Sequence, residues 1–467
     1  MPQSNEKGLN LNAKSFITAT IIIFMLMVAA FVLTMVIPGG AYERTLDSNG
    51  NLVIDTTGSF SYIDGGIPFW KWLLSPILVL GAPGNGTIIA VILFLLVIGG
   101  VFNCLERCGL TKYMLDKITH RFANVRYQLM AVITLFFMAL GSAIGSYEES
   151  VPLVPIVVAL AVNLGWDSLT GVGMSLLAVG CGFAAGVCNP FTVGVAQQLA
   201  GLPMFSGASM RILAFVLIYI LLLTFIYLHA KKVEQPLTDI QSLGQFTQSK
   251  EMEHGLRWFL VILGAGILVI LCSGFIPAIQ DYTMIIVALM FLLSGTVSCL
   301  VSGMDKKVMI QTAFQGVQTI FPAVLMILMA SSIKFTLEEA HILDTILHAA
   351  VTFAGSLPKW ALILFIYLIV LILNFCIPSG SAKAFMLIPL IVPMAQIFGI
   401  SAQLCVLAFA FGDGFSNVLY PTNPVLLISL GVANISYSEW IKWSWKFQIL
   451  NLALTSGLLL FGLVIGY

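Results

Sequence analysis

Ile144-Gly145-Ser146-Tyr147-Glu148-Glu149-Ser150-Val151-Pro152 is the stretch whose reading decides the fold. It lies between two apolar runs, residues 129–143 and 151–164. Each run is about 15 residues, roughly 22 Å of helix, and falls short of the ~30 Å hydrocarbon core of a bilayer. Two such arms joined by a small polar turn read as a re-entrant hairpin rather than as two full spans. Arg121 and Arg126 precede the first arm, and Trp166 and Asp167 follow the second, so the hairpin enters and leaves on one face. Its tip then holds two carboxylates inside the membrane. Non-helical backbone survives at that depth only when it is buried in protein or lines a water-filled cavity.

The composition sets the same frame. The 467-residue chain is 59% hydrophobic and 9% charged, against about 25% charged residues in a soluble domain. This is an all-α polytopic membrane protein. A formal net charge of zero argues against a nucleic-acid role. The eight cysteines are scattered through apolar segments, and the five histidines sit at span ends or in loops. Neither set has the spacing of a metal site, so no metal and no cofactor is expected. Residues 16–37 are long enough to be a span rather than a cleavable leader. Lys7 and Lys14 ahead of them predict a cytoplasmic N-terminus.

Read in order, residues 1–229 form a first unit: span 16–37, span 87–105, hairpin 128–165, a long run 168–199 and span 212–228. The run 168–199 is interrupted at Asn189-Pro190. Proline cannot donate to the helix ladder and clashes with the preceding turn, so this reads as a broken helix. Between spans, residues 39–66 read as an acidic external loop, Trp70 and Trp72 as an interfacial belt, and residues 106–126 as a basic surface helix. Residues 230–257 are the cytoplasmic linker. Residues 258–467 form a second unit: spans 258–279, 284–301 and 320–335, a surface stretch 338–359, hairpin 360–398, broken helix 402–430 and span 447–467. Trp440, Trp443 and Trp445 read as an inner interface. This gives about nine transmembrane spans plus two re-entrant hairpins, with the C-terminus outside.

A shift of 234 residues superposes landmarks of the two units. Pro155 meets Pro389, Gly165 meets Gly399, Gly180 meets Gly414 and Asn189-Pro190 meets Asn423-Pro424. Gly145-Ser146 meets Gly380-Ser381 with a slip of one. The first hairpin opens inward and the second outward, so the units are predicted to form an inverted repeat. Paired discontinuous helices in an inverted repeat point to a secondary transporter with its site near the midplane.

The candidate site residues follow. Asn189, Thr192, Thr422 and Asn423 offer neutral donors and acceptors at the breaks, and Ser146, Ser379 and Ser381 do so at the tips. Each is equally readable as a helix cap. Half-helix N-termini offer free N–H groups, and half-helix C-termini offer carbonyls. The charged residues at depth are Glu148, Glu149, Lys383 and Asp413, three acids against one base, which leans toward a cationic solute or a coupling cation. The alternative is that the two glutamates cap the tip or pair with Lys383. Adjacent helical residues do not share a face, so one glutamate at most need touch the solute.

The segments GSYEESVPLVPIVVAL, GVCNPFTVGVAQQLAGLP, PSGSAKA and FGDGFSNVLYPTNP resemble the YfcC branch of the C4-dicarboxylate anaerobic carrier (DcuC-like) family, in the ion transporter superfamily. The last segment adds Asn417 to the candidate set. The resemblance implies a dimer that moves hairpins and broken helices past a fixed scaffold, in a bacterial cytoplasmic membrane. It implies a small-molecule substrate, either a dicarboxylate or, as in arginine/ornithine antiporters, a basic amino acid. Where the branch reads PSGSGQA, Ala382 and Lys383 stand here. The lysine ammonium stands either for a coupling sodium ion or as a ligand for a substrate carboxylate. The expected function is arginine/ornithine exchange. Glu148 or Glu149 would hold the side-chain cation, and Asn189, Asn423 and half-helix N-termini the α-carboxylate. The alternative is a C4-dicarboxylate carrier using Lys383. A third reading, a non-transporting membrane enzyme or receptor, lacks support: the sequence offers no His/Asp/Glu metal cluster, no nucleophile–base pair and no soluble sensor domain.

Overall fold

The computed structural model describes residues 13–46, 52–54, 60–82, 86–143, 145, 147–235, 249–273 and 283–467. Among them, eight helices are long and apolar enough to cross a membrane. The protein is an all-α polytopic membrane protein.

One group of helices packs around Lys306–Glu339, which contacts Gly86–Arg107 and Ala13–Val36. Thr283–Val301 joins it against Gly86–Arg107, and Lys250–Ser273 lies against Thr283–Val301. Lipid tails are as apolar as leucine, so helices in a membrane are held by close packing at small residues rather than by a hydrophobic gradient. A Cβ on Gly316 would fall 2.2 Å from the Gly99 carbonyl oxygen, so those two helices touch backbone to backbone. Lys306–Glu339 has 34 residues, roughly 50 Å of helix, with Pro322 inside it. Asp305 starts it by accepting from the Lys307 and Val308 N–H groups.

The second group holds the hairpins and broken helices. The first hairpin is Arg126–Ala143, a 3-10 turn Glu148–Leu153, and Val154–Asn163. The first broken helix runs Ser168–Ala185, stops at Gly186 in the left-handed conformation (φ +49), and resumes through a wide turn Pro190–Gly194 into Val195–Leu199. Helix Ala208–Val233 follows. The same order recurs later in the chain: arms Lys359–Cys376 and Gly380–Ile397, half-helices Ala402–Ser416 and Pro424–Val432, then helix Tyr437–Ile465. Small residues again allow the approach. A Cβ on Gly182 would lie 1.8 Å from the Met138 oxygen, one on Gly141 2.2 Å from the Val179 oxygen, and one on Gly414 2.2 Å from the Ala184 Cα. The two broken helices thus cross backbone to backbone.

Three features depart from the sequence reading. The segment read as an external loop carries short antiparallel strands, Gly40–Tyr42 with Phe60–Tyr62 and Arg44–Leu46 with Leu52–Ile54. They are anchored by Asp344, which accepts from the Tyr42 N–H at 3.0 Å and from Arg44 Nη2 at 2.8 Å. Three-residue strands are too short to show alternation in sequence. Second, Trp72 and Trp440 of the tryptophan-rich segments are buried within the protein, where their indoles donate to the carbonyls of Met27 and Val418. Third, the 320–335 run is part of the longer helix Lys306–Glu339.

The described thiols include a close pair: Cys108 and Cys299 lie 3.7 Å apart, on chain segments at the ends of packed helices. Mild copper-phenanthroline oxidation of the purified protein should join them, giving a Cys108–Cys299 peptide in non-reducing mass spectrometry. Its absence would contradict this packing.

Candidate functional site

The two hairpin tips and the two helix breaks meet. Gly145 turns the first tip with φ +75, a conformation open to glycine at little cost. A Cβ there would lie 2.5 Å from Asn189 Oδ1, so the tip rests on the first break. The arm end secures the same break: Ser142 Oγ accepts from the Val187 N–H at 3.0 Å, and its carbonyl accepts from the Cys188 N–H at 3.1 Å. Two residues beyond Gly145, the Tyr147 hydroxyl donates to the Asn417 carbonyl at 3.0 Å, reaching the second break. Ser146 lies outside the described residues. The backbone of Glu148 and Glu149 starts the 3-10 turn at this tip, while their side chains lie outside the described residues.

The second tip is organised by Lys383. Ser379 caps the helix Gly380–Ile397 by accepting from the Ala382 N–H, and Ser381 lies within 3.5 Å of Ser379. Lys383 points back into the protein. Its ammonium meets Asp413 Oδ1 at 2.5 Å and the Ile377 carbonyl at 2.7 Å, and also donates to Asn374 Oδ1. Both charged side chains are 0% exposed. The sequence alternative that paired Lys383 with the glutamates is therefore replaced by a pair with Asp413. Two of the ammonium's three donors are thus hydrogen-bonded, to Asn374 and Ile377, and the carboxylate neutralises its charge. Gly380 makes the approach possible: a Cβ on it would fall 2.6 Å from both Asp413 Oδ2 and Thr192 Cγ2.

Asn374 ties this pair to the second break. Its Nδ2 lies 3.1 Å from the Asp413 carbonyl, 2.6 Å from Ser416 Oγ and 2.9 Å from Asn417 Oδ1. Asn423 Nδ2 reaches the same Asn417 oxygen at 3.1 Å, and Asn423 Oδ1 caps the next half-helix through the Val425 N–H at 3.0 Å. Asn189 Oδ1 accepts from the Thr192 N–H at 3.3 Å. Both Asn-Pro asparagines are thus caps as well as break residues.

The carbonyls of the second break are not open. Those of Asn417, Val418 and Leu419 accept from the Tyr147 hydroxyl, the Trp440 indole and the Tyr437 hydroxyl. At the first break, the buried Arg211 guanidinium donates to the Val187 carbonyl at 3.3 Å. The expectation that half-helix carbonyls are offered to a solute fails at these positions. Left over are the hydroxyls of Thr192 and Thr422, both buried and without a hydrogen-bond partner among the described residues.

Sequence reasoning missed Asn374, Ser416, Tyr147, Ser142 and Arg211. Asn374 had a signal. It is the one amide in the apolar arm Lys359–Cys376, and a polar side chain at such depth is expensive unless it has work to do. Arg211 had a weaker one, because it opens an apolar run and reads as an interfacial flank.

The family model described as "C4-dicarboxylate anaerobic carrier" matches residues 16–464. The chain belongs to the C4-dicarboxylate anaerobic carrier family. Within it, this carrier lies in the YfcC-like branch. It is 32% identical over 379 residues to the "Putative basic amino acid antiporter YfcC" of Escherichia coli, covering 76% of this chain and 74% of that one. An uncharacterized protein of Haemophilus influenzae is 24% identical over 482 residues, covering 92% and 93%. Among solved structures, the YdaH transporter of Alcanivorax borkumensis aligns with a TM-score of 0.48 at 17% identity, over 96% of this chain and 99% of that one. Neisseria gonorrhoeae MtrF aligns with a TM-score of 0.47 at 16% identity, over 94% of each. This carrier is a multi-pass secondary transporter of a small molecule, not an enzyme.

Removing one member of a buried ion pair costs on the order of 3–5 kcal/mol, whereas removing both is often close to neutral. Lys383→Met and Asp413→Asn should each lower the melting temperature of the carrier in detergent, and the double variant should recover most of the loss. A double variant as unstable as the worse single would remove the pair from its place in the fold.

Proposed function

We propose that this carrier exchanges basic amino acids across the cytoplasmic membrane, arginine against ornithine, by an elevator movement. The observation that carries the reading is the neutralisation of Lys383 by Asp413. Buried and neutralised in this way, that lysine is withdrawn from a substrate carboxylate. The charged residues remaining at the tips are Glu148 and Glu149, on a turn that touches both breaks. A cationic side chain suits such a site, and the 32% identical relative carries the name of a basic amino acid antiporter. In this reading one of the two glutamates takes the guanidinium or ammonium of the substrate. Thr192, Thr422, Asn189 and Asn423 take its α-amino and carboxylate groups, with Asn417, Ser379 and Ser381 bordering the path, and Ser146 beside the glutamates.

Arginine and ornithine carry the same net charge near neutral pH, so one-for-one exchange moves no net charge. The recurring order of hairpin, broken helix and long helix supports an inverted repeat of residues 1–229 and 258–467 around a cytoplasmic linker. The closer packing within each helix group than between the two supports a transport unit sliding past a scaffold, which in a homodimer would be anchored by its partner.

The family description favours a second reading, transport of a C4-dicarboxylate. The buried Arg211 guanidinium beside the first break is the cation such a substrate would use. Proteoliposomes separate the two. Vesicles loaded with ornithine should take up labelled arginine, and vesicles loaded with succinate should not. A hydrogen bond to a charged group contributes about 1.5–3 kcal/mol, so Glu148→Gln or Glu149→Gln should cut arginine uptake roughly 10- to 100-fold. Equal uptake of succinate, with both glutamine variants fully active, would overturn the first reading in favour of the second.

A further inference from the structure

The surroundings of Lys383 contain more than a countercharge. Its ammonium is held by oxygens from three separate segments: Asn374 Oδ1 on the hairpin arm, the Ile377 carbonyl on the turn, and Asp413 Oδ1 on the half-helix. Ile377 has left the helical conformation (φ −126, ψ 92), which swings its carbonyl out of the arm's ladder and toward the ammonium. A buried ammonium needs oxygen acceptors beside its countercharge in any case. The set gathered here, a main-chain carbonyl, an amide oxygen and a carboxylate, is also the donor set of a hard cation. Further oxygens are at hand. Asp413 Oδ2 and Thr192 Oγ1 are buried and accept no hydrogen bond among the described residues, and both side chains abut Gly380.

We propose that this cage is a monovalent-cation site permanently filled by the Lys383 ammonium, so that transport needs no coupling cation, and that removing the amine opens the cage to Na⁺. The tether keeps one positive charge in the tip at every stage of the cycle. A dissociable ion would have to be bound before the tip closed and released after it opened. The inference shares the site with the exchange reading but does not need arginine to be the substrate.

The first measurement requires no substrate. Lys383→Ala and Lys383→Gln proteins in detergent are melted in NaCl, LiCl, KCl and choline chloride at equal ionic strength. The expected result is a saturable rise of several degrees with Na⁺ in the variants, absent with choline, and no cation-specific shift in the unsubstituted protein. A double variant, Lys383→Ala with Asp413→Asn, should lose the Na⁺ response. The second measurement is exchange in proteoliposomes. The unsubstituted carrier should run equally fast in choline and Na⁺, and Lys383→Ala should become at least tenfold faster in Na⁺. The proposal is overturned if folded Lys383 variants show no Na⁺-specific shift. It is equally overturned if melting or exchange of the unsubstituted protein depends on Na⁺. Should neither variant fold, that second criterion alone decides. Failure of arginine exchange with a positive melting result would discard the substrate and keep the cage.

Discussion

A full charge placed in the middle of a membrane protein must be answered on the spot, and the Lys383–Asp413 contact is where that constraint is met here. Desolvating each ion costs several kcal/mol, and their attraction repays this only when the remaining donors and acceptors are satisfied. Asn374 and the Ile377 carbonyl supply the remainder on the lysine side. The pair holds the second hairpin tip against the first half of the second broken helix. Asn374 extends the hold to Ser416 and Asn417, and Asn423 closes it onto the next half-helix. The tip, the break and the following helix are therefore one hydrogen-bonded piece. Its net charge is zero.

Much of the architecture is legible in the sequence because proline and glycine puncture otherwise apolar runs. Pro190 and Pro424 mark the breaks, and Gly145 and Gly380 mark the tips, since no continuous span could carry them at those places. The basic surface stretches stand out for the same reason, as interruptions of hydrophobicity. What sequence does not carry is the facing of a helix buried on all sides. Asp413 sits in a half-helix with no polar stripe to orient it, so nothing in the chain says that it looks at Lys383, 30 residues earlier. The same blindness hides Asn374 among leucines and isoleucines. It also hides the inward turn of Trp72 and Trp440, whose indoles donate to the carbonyls of Met27 and Val418.

The breaks are kept in unlike ways. At the second, three aromatic donors close the carbonyls of residues 417–419, and one of them, Tyr147, comes from the opposite hairpin. At the first, Ser142 and Arg211 share the task. An orphaned carbonyl at that depth would cost several kcal/mol, so unwound backbone is stable only because specific side chains stand ready to receive it. Among the described residues, the hydroxyls of Thr192 and Thr422 stay without a partner beside these breaks.

The helix Lys306–Glu339 has a consequence of its own. At roughly 50 Å it exceeds the ~30 Å hydrocarbon thickness by far, so it must lean, bend at Pro322 or project beyond the lipid. Mismatch of this kind costs fractions of a kcal/mol per ångström, and acyl-chain length sets how much is due. The helix group packed around it is thereby exposed to the fatty-acid composition of its host, and a cell that lengthens or shortens its lipids would retune the angle at which this carrier stands.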